Sequence, residues 1–554
     1  MLEKRVGRAV PELTARVVAA AFPKGTLAVW LRDALGEVFS DELFAEAFPA
    51  DGRPAISPGA LAAVSVLQYA ENLSDRRAAE AVRARMDWKY LLGAELTDPG
   101  FDHSVLSDFR ARLSGHGLEE RVLEAVLEAA VSRGLLRSRG RQRTDSAKIL
   151  ADVRLLNRME FVGEVLRTAL EALAVAHPSW LEEALAGQEE RWLGRYGERI
   201  DSWHGELPGA DREQWLRQVG EDGFLLLAMV EDARSPAWLR LIPSVAALRR
   251  CWDEQYRRDQ HGVHLREGAQ LPPGADRTAT PHDLDARYGA KRGQGWVGYL
   301  LHVTETCEAD APRLITDVAT AAAADGDDSA ALPGIHQRLE RRGLLPAEQL
   351  LDSGYITAQA LVEAADTHGV ALVGPARPIT AGAAEGRFTH QDFLIDDQAR
   401  TAVCPGERRS ISWVQTRSTT GVPVIQVRFA ADDCSRCPLR QRCTTAVNPQ
   451  WGRTLTLRHP RQRAALQQRR REQGTPAWRQ RYRSRAGIEA TVHQLVSRTG
   501  LRRSRYRGLQ RTHLGHCLAA AAVNLIRMHA WEHGIPPEPT RTSHLSRLLR
   551  KCTR

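Results

Sequence analysis

Between Trp296 and Gly374 the apolar pattern changes period, and this change limits the folds open to the chain. Trp296-Val297-Gly298-Tyr299-Leu300-Leu301-His302-Val303-Thr304 and Arg313-Leu314-Ile315-Thr316-Asp317-Val318 are short runs that read as strands. A helical stretch covers His336–Arg342, and Ala347–Leu351 leads into Asp352-Ser353-Gly354-Tyr355. A helix from Thr357 to Thr367 and the strand Val370-Ala371-Leu372-Val373-Gly374 follow. Strands alternating with helices predict an α/β layer. The flanks read differently. Residues 1–137 are mostly helical, with Ser57-Pro58 as cap and first helical position and further helices at Ser74–Glu80 and after Asp102-His103-Ser104. Such short helices suit either a helix-turn-helix-like module or an ordinary helical domain, because periodicity does not reveal what a helix touches. Arg137–Arg143 read as a basic loop. Residues 160–265 read as a long helical stretch in which Trp180, Trp192, Trp203, Trp215 and Trp238 are expected to pack a core.

The charge is local. The net +9 contains a segment, 451–510, with 16 arginines, two glutamates and neither Lys nor Asp, a net +14; the remaining 494 residues sum to −5. Codon bias accounts for Arg over Lys, since only 6 of the 77 basic residues are Lys, but not for the near-absence of acidic residues there. A polyanion is the natural partner of such a tract. No run reaches the ~18 apolar residues that a spanning helix needs, and the N-terminus carries no secretory h-region, so a cytoplasmic location is expected.

In a reducing compartment, clustered cysteines point to a metal more than to disulfides. Cys404, Cys434, Cys437 and Cys443 fall within 40 residues, the last three as Cys-x2-Cys-x5-Cys. Four thiolates suit tetrahedral Zn²⁺. An iron–sulfur cluster uses the same donors, and unligated thiols are the plain alternative. Arg436, Arg440 and Arg442 interleave with these cysteines and would present positive charge beside them.

Three carboxylates carry the candidate chemistry. Asp352 follows an apolar run and precedes a turn into a helix, which places it at the carboxyl end of a strand, where open α/β sheets bind ligands; it could equally cap the helix. Asp145 stands between two hydroxyl residues in Thr144-Asp145-Ser146. Glu489 shares one helix face with Tyr482, Arg485 and His493. A carboxylate inside a phosphate-binding surface repels that phosphate unless a cation bridges them. Together the three suit magnesium, which takes oxygen ligands. Two such ions about 4 Å apart can serve an in-line displacement at phosphorus. Arg498, Arg502, Arg503, Arg505 and Arg507 would hold the phosphate backbone, with Tyr482, Arg485 and His493 as further DNA contacts.

At this point the chain resembles the DDE transposases of bacterial insertion sequences. Tyr482-x2-Arg485-x3-Glu489 is similar to the family's signature on its glutamate helix. Arg141-Gln142-Arg143-Thr144-Asp145-Ser146 resembles the first-aspartate segment, and Leu350-Leu351-Asp352-Ser353-Gly354-Tyr355 the second. Gly500–Gly508 resembles the family's continuation, and Ser74–Ala78 with Phe101–Ser104 its helical leader. Where the family often has a lysine seven residues after the glutamate, this chain has Val496. The resemblance implies a ribonuclease-H-like α/β core of mixed sheet flanked by helices. It implies two Mg²⁺ (or Mn²⁺) ions on Asp145, Asp352 and Glu489, and cleavage and transfer of double-stranded DNA at terminal inverted repeats by an oligomer assembled on DNA. The separations of 207 and 137 residues between the three carboxylates leave room for two insertions. The expected order is therefore a leader (1–137), a catalytic layer (138–375) with a helical insertion at about 156–285, a Cys-rich insertion (376–480) and a closing segment (481–554). Two other readings keep the basic tract: a DNA-binding protein whose carboxylates are structural, and a structure-specific nuclease without strand transfer.

Overall fold

The computed structural model describes residues 9–49, 55–153, 156–200, 209–291, 293–378, 386–419, 421–445, 448 and 450–536. Its centre is a mixed sheet of β1 (Arg141–Leu150), β2 (Arg287–Lys291), β3 (Gln294–Thr306), β4 (Ile315–Ala322), β5 (Glu348–Leu350) and β6 (Ala371–Val373). β1 lies between β3, which runs antiparallel to it, and β5, which runs parallel; β6 continues parallel beyond β5. On the outer side of β3, β2 pairs with residues 294–298 and β4 with residues 299–305. The helix Leu332–Arg341 connects β4 to β5, and Ala358–His368, capped by the Thr357 hydroxyl, connects β5 to β6. This is the α/β layer that the alternating pattern predicts.

The basic loop expected over Arg137–Arg143 is, from Arg141 onward, the start of β1. No apolar alternation marks it, because its first buried residues are polar and bond to groups distant in the chain. Gln142 Nε2 donates to Leu344 O (2.8 Å), and Gln142 Oε1 accepts from Thr316 Oγ1 (2.9 Å). Arg143 Nε donates to Glu305 Oε1 (2.7 Å), and Gln349 Nε2 donates to Thr144 Oγ1 (2.7 Å). Each bond offsets the cost of removing a polar group from water.

The leader and the sheet share one hydrophobic core. Val64, Leu67 and Val126 of the leader belong to the same buried cluster as Val303 and Ile315 of the sheet and Leu518, Ala519 and Val523 of the long closing helix Leu509–Glu532. Within the leader, Ser57 caps the helix Pro58–Ala70 as expected. The insertion between β1 and β2 has its own core, around Leu166, Val219, Leu248 and Trp252. Its helices end at Gln255; Tyr256–Asp259 and Gly262–Leu265 form a hairpin where helix was expected. Trp192 is buried there, and Trp180 and Trp215 pack against it. Trp238 departs from expectation: it is 46% exposed and stacks on His177 at 5.9 Å. Trp203 lies outside the described residues. Between residues 386 and 457, a three-stranded and a two-stranded sheet enclose Phe393, Val427, Phe429 and Leu455. The helix Pro460–Glu472 then returns to the far side of the main sheet, where Leu466 packs on the Leu351–Leu372 cluster and Arg469 donates to Leu372 O. Among the described residues, no helix is long and apolar enough to cross a membrane.

Candidate active site

Asp145 lies midway along β1. The parallel register sets Arg141 opposite Glu348 and Arg143 opposite Leu350. Carried two residues further, it brings Asp352, in the turn after β5, abreast of Asp145. Asp352 Oδ1 accepts from Gly354 N (2.7 Å) and Asp145 Oδ1 from Ser146 N (2.9 Å), so each carboxylate is steered by the backbone beside it. Burial raises the Asp145 carboxyl above its usual range. The charge of Asp352 adds to that rise, against the pull of Arg485, the Ser146 N–H and Lys291.

The third carboxylate arrives differently from expectation. Tyr482, Arg485 and Glu489 do not share one α-helix. Tyr482 ends the helix Pro476–Tyr482, Arg483–Gly487 form a tighter 3₁₀ turn, and Glu489 opens the helix Ile488–Arg498. The turn brings Gly487 against the Arg143 guanidinium, where a Cβ would stand 2.1 Å from Nη1. From this turn Arg485 reaches Asp145 Oδ2 at 2.8 Å and Glu489 Oε1 at 3.8 Å. Glu489 itself is 71% exposed. Asp145 is thus joined to Asp352 by register and to Glu489 through one guanidinium. Tyr482 stacks on Trp478 at 4.7 Å; burial raises its hydroxyl pKa, and Asp352 and Asp145 add to the rise against the pull of Arg485.

A buried polar cluster holds the glutamate helix. Glu305, at the end of β3, is fully buried. It accepts from Arg143 Nε, from Thr491 Oγ1 (2.5 Å) and from Arg527 Nη1 (2.8 Å). Arg143 also donates to Ser484 O in the 3₁₀ turn, and Arg527 Nη2 donates to Thr491 Oγ1 (2.7 Å). A second group missed by sequence reasoning is Asp328, in the loop after β4. Its Oδ2 faces Lys291 Nζ at 2.9 Å, and Lys291 also donates to Ser146 Oγ (3.1 Å). A Cβ added to Gly354 would fall 2.6 Å from Asp328 Oδ2 and 2.9 Å from Asp352 Oδ1. Beside them His302 Nδ1 and the Tyr355 hydroxyl are 2.7 Å apart, and burial draws the His302 pKa down to about 4.

The expected DNA-facing residues divide. His493, Arg498, Arg502 and Arg507 are exposed. Arg503 is exposed and pairs with Asp152 at 3.3 Å. Arg505 is occupied within the protein: it donates to Leu73 O, Asn72 Oδ1 and Thr499 O and lies 4.5 Å from the centre of the Tyr69 ring, fastening the leader to the segment after the glutamate helix. Val496, where the family often has lysine, is buried.

Cys404, Cys434 and Cys443 pack at the rim of their small core, Cys437 lies beside Cys404, and none of the four is in a disulfide. The Sγ atoms of Cys437 and Cys404 stand 3.4 and 3.7 Å from where a Gly406 Cβ would be, and Arg453 N donates to Cys434 Sγ (3.3 Å). Burial pushes the Cys443 thiol pKa up, and the other three cysteines add to that against the pull of Arg453. Arg442 lies over the Phe388 ring at 4.5 Å and Arg440 donates to Asn448 O, so both are partly held by the fold. Among the described residues, no group of three or more His, Cys, Asp or Glu side chains is arranged to hold a metal ion. The chemistry of the donors still fits: carboxylate oxygens at one centre suit a hard divalent cation, and four thiols at the other suit a softer one.

Residues 403–529 match a family model described as a transposase DDE domain, and residues 17–112 match one described as a transposase domain. The first match takes in the cysteines, Glu489 and most of the closing helix; Asp145 and Asp352 lie before it. No curated protein and no solved structure matches the chain. The mixed sheet agrees with the ribonuclease-H-like fold that such a domain implies, and enzymes of this kind generally use divalent metal ions such as Mg²⁺. With one match across the leader and the other across the signature Tyr482-x2-Arg485-x3-Glu489, the two domains support a DDE transposase of an insertion sequence, an enzyme of DNA cleavage and transfer.

Proposed function

We propose that the chain nicks and joins DNA at the terminal inverted repeats of its own element, with Asp145, Asp352 and Glu489 as the catalytic carboxylates. The observation that carries this is the approach of Asp352, in the turn after β5, to Asp145 on the neighbouring parallel strand β1, with Arg485 reaching both Asp145 and Glu489. Two Mg²⁺ or Mn²⁺ ions bound there would supply Lewis-acid stabilisation of the attacking and leaving oxygens. The protein's own part is positional. The sheet fixes the two aspartates, Arg485 offsets their charge, and the Glu305 cluster fixes the helix that carries Glu489. The leader (1–137) would grip the repeat, the segment 138–375 would hold the chemistry with its insertion at about 156–285, and 481–554 would complete it. Tyr482, Arg485, His493, Arg498, Arg502, Arg503 and Arg507 would face the DNA; Arg505 would act by holding the leader in place. The test uses end-labelled repeat DNA and a target plasmid. Joined product supports transposition, labelled fragments without joining indicate a nuclease, and binding without cleavage reduces the chain to a DNA-binding protein.

The exposed arginines give a quantitative expectation. Each phosphate neutralised contributes about −0.9 to the slope of log K against log salt. Replacing Arg498, Arg502 and Arg507 one at a time with Gln should therefore flatten that slope by about 0.9 each. Fluorescence anisotropy across a salt series measures it, and an unchanged slope removes the arginine from the DNA surface.

We assign the segment 376–480 a structural Zn²⁺ on Cys404, Cys434, Cys437 and Cys443, supported by the approach of Cys404 and Cys437 beside Gly406 and by the influence of the other three cysteines on the Cys443 thiol. Protein purified without chelators should carry about one zinc per chain by elemental analysis, and Cys437→Ser should lose it. Iron with visible absorbance would indicate a cluster instead, and metal-free protein would indicate plain thiols.

A further inference from the structure

Tyr355 closes the turn Asp352-Ser353-Gly354-Tyr355, where its N–H donates to Asp352 O (3.3 Å). Its side chain is fully buried in the cluster of Leu351, Ile356 and Leu372. For that packing a phenylalanine would serve, and it would bury no hydroxyl. The hydroxyl is instead met by His302 Nδ1 at 2.7 Å, and His302 is itself only 2% exposed. Two polar groups are thus removed from water largely for one another. Either one left alone would be a costly buried group.

The register shows what this pair spans. The parallel ladder between β1 and β5 ends at Arg143 and Leu350, two residues short of Asp145 and Asp352. Leu351 N then turns away to Val373 O (2.9 Å), so the ladder does not fix the distance from the Asp352 turn to β1. On the other side of β1, Asp145 is opposite Val303 and Ser146 is opposite His302. Successive side chains on a strand point to opposite faces, so His302 lies on the face of the sheet away from the Asp145 side chain. The Tyr355 side chain therefore crosses behind β1, from the end of β5 to β3. Its ring meets the imidazole edge-on, with centroids 5.8 Å apart and planes at 81°. Burial keeps the imidazole neutral, so Nδ1 can accept from the Tyr355 O–H.

We propose that Tyr355 and His302 are positioning residues for DNA cleavage, their hydrogen bond clamping the Asp352 turn to the back of the strand that carries Asp145 and so setting the spacing of the two carboxylates. The inference rests on the reading of Asp145 and Asp352 as catalytic. Neither Tyr355 nor His302 touches the substrate in this role; both act through the turn.

The experiment follows single-turnover nicking of end-labelled repeat DNA by the full-length protein, together with DNA affinity and melting temperature. Tyr355→Phe keeps the ring and its packing. It should slow nicking at saturating DNA by about 10- to 100-fold, the scale of a small misplacement of reacting groups, with DNA affinity unchanged. His302→Leu should do the same, and the double variant should be no slower than either alone, because one shared bond is lost once. His302→Asn, whose Oδ1 can stand in for Nδ1 as acceptor, should recover most of the rate. Where His302→Leu fails to fold, Tyr355→Phe decides alone. Nicking by folded Tyr355→Phe within threefold of the parent overturns the proposal, whatever the melting temperature does. Additive losses in the double variant overturn it too, since the two residues would then act separately. Asp352→Asn tests the underlying reading: if it nicks like the parent, the catalytic assignment falls and takes this proposal with it. If Asp352→Asn is inactive while Tyr355→Phe is unimpaired, only the clamp falls.

Discussion

Asp352→Asn should lower the rate of strand nicking at the element's ends by about 10³-fold or more, while binding to the same DNA is unchanged. The size follows from the behaviour of catalytic groups that act as a unit, where removal of one member forfeits most of the rate. The substitution is chosen to spare the fold. Asn retains an Oδ1 that can accept from Gly354 N, the contact that Asp352 makes in its turn. A carboxylate that merely capped the following helix would be replaced at little cost, since Asn caps as well as Asp; besides, the Thr357 hydroxyl already caps that helix. The change that matters is the lost charge beside Asp145. Nicking within threefold of the parent, at equal DNA occupancy, would leave Asp352 a turn residue and remove the chemistry from this end of the sheet.

Glu305→Ala should be the most damaging single change to the fold around the site. Glu305 is fully buried and receives Arg143, Arg527 and Thr491. Its removal leaves two largely buried guanidinium groups uncompensated, a loss of about 3–5 kcal/mol by analogy with broken buried ion pairs. The effect has an address: hydrogen exchange of the Thr491–Leu495 amides should quicken, because Thr491 loses its acceptor, and nicking should fall because Glu489 lies on the same helix. The chain has several cores, so the global melt need not be two-state, and the local exchange is the sharper readout. Protection of those amides equal to the parent's would show that the cluster does not hold the helix.

The α/β layer was legible because its inner strands are conventionally apolar. β3 carries Tyr299, Leu300, Leu301 and Val303, and all four are buried. β1 was misread over Arg141–Arg143 for the opposite reason. Its first buried residues are Gln142, Arg143 and Thr144, whose burial depends on partners more than 150 residues away, at Thr304, Glu305, Thr316, Leu344 and Gln349. A pattern of residue types cannot announce bonds that exist only after folding. Asp145, Asp352 and Glu489 were singled out by position and by the basic tract around Glu489, and the resemblance gave them one shared role; taken alone, the aspartates read as well as turn or cap residues and Glu489 as a partner of Arg485. Asp328 and Glu305 carried no usable signal. The first sits in a string of acidic residues that looks solvated, and the second ends an apolar strand where a charge usually meets water. The tight turn at Arg483–Gly487 was hidden as well, since its sequence is also acceptable in a regular helix and the Arg143 guanidinium fills the space beside Gly487.

The closing helix Leu509–Glu532 has a mechanical consequence. Its buried side chains Leu518, Ala519 and Val523 lie in one continuous core with the leader and the sheet. Arg505 on Tyr69 and Asn72, and Arg342 on Glu120, add largely buried ties between the leader and the rest. A reader attached by a loose tether could swing and cut at variable offsets. With the leader gripping the repeat and Asp352 serving the cut as proposed, the span between them would be set by this shared core, as in a caliper with locked jaws. The offset between recognised sequence and cut site then becomes a constant of the fold, and it can be altered only by changes that rebuild that core.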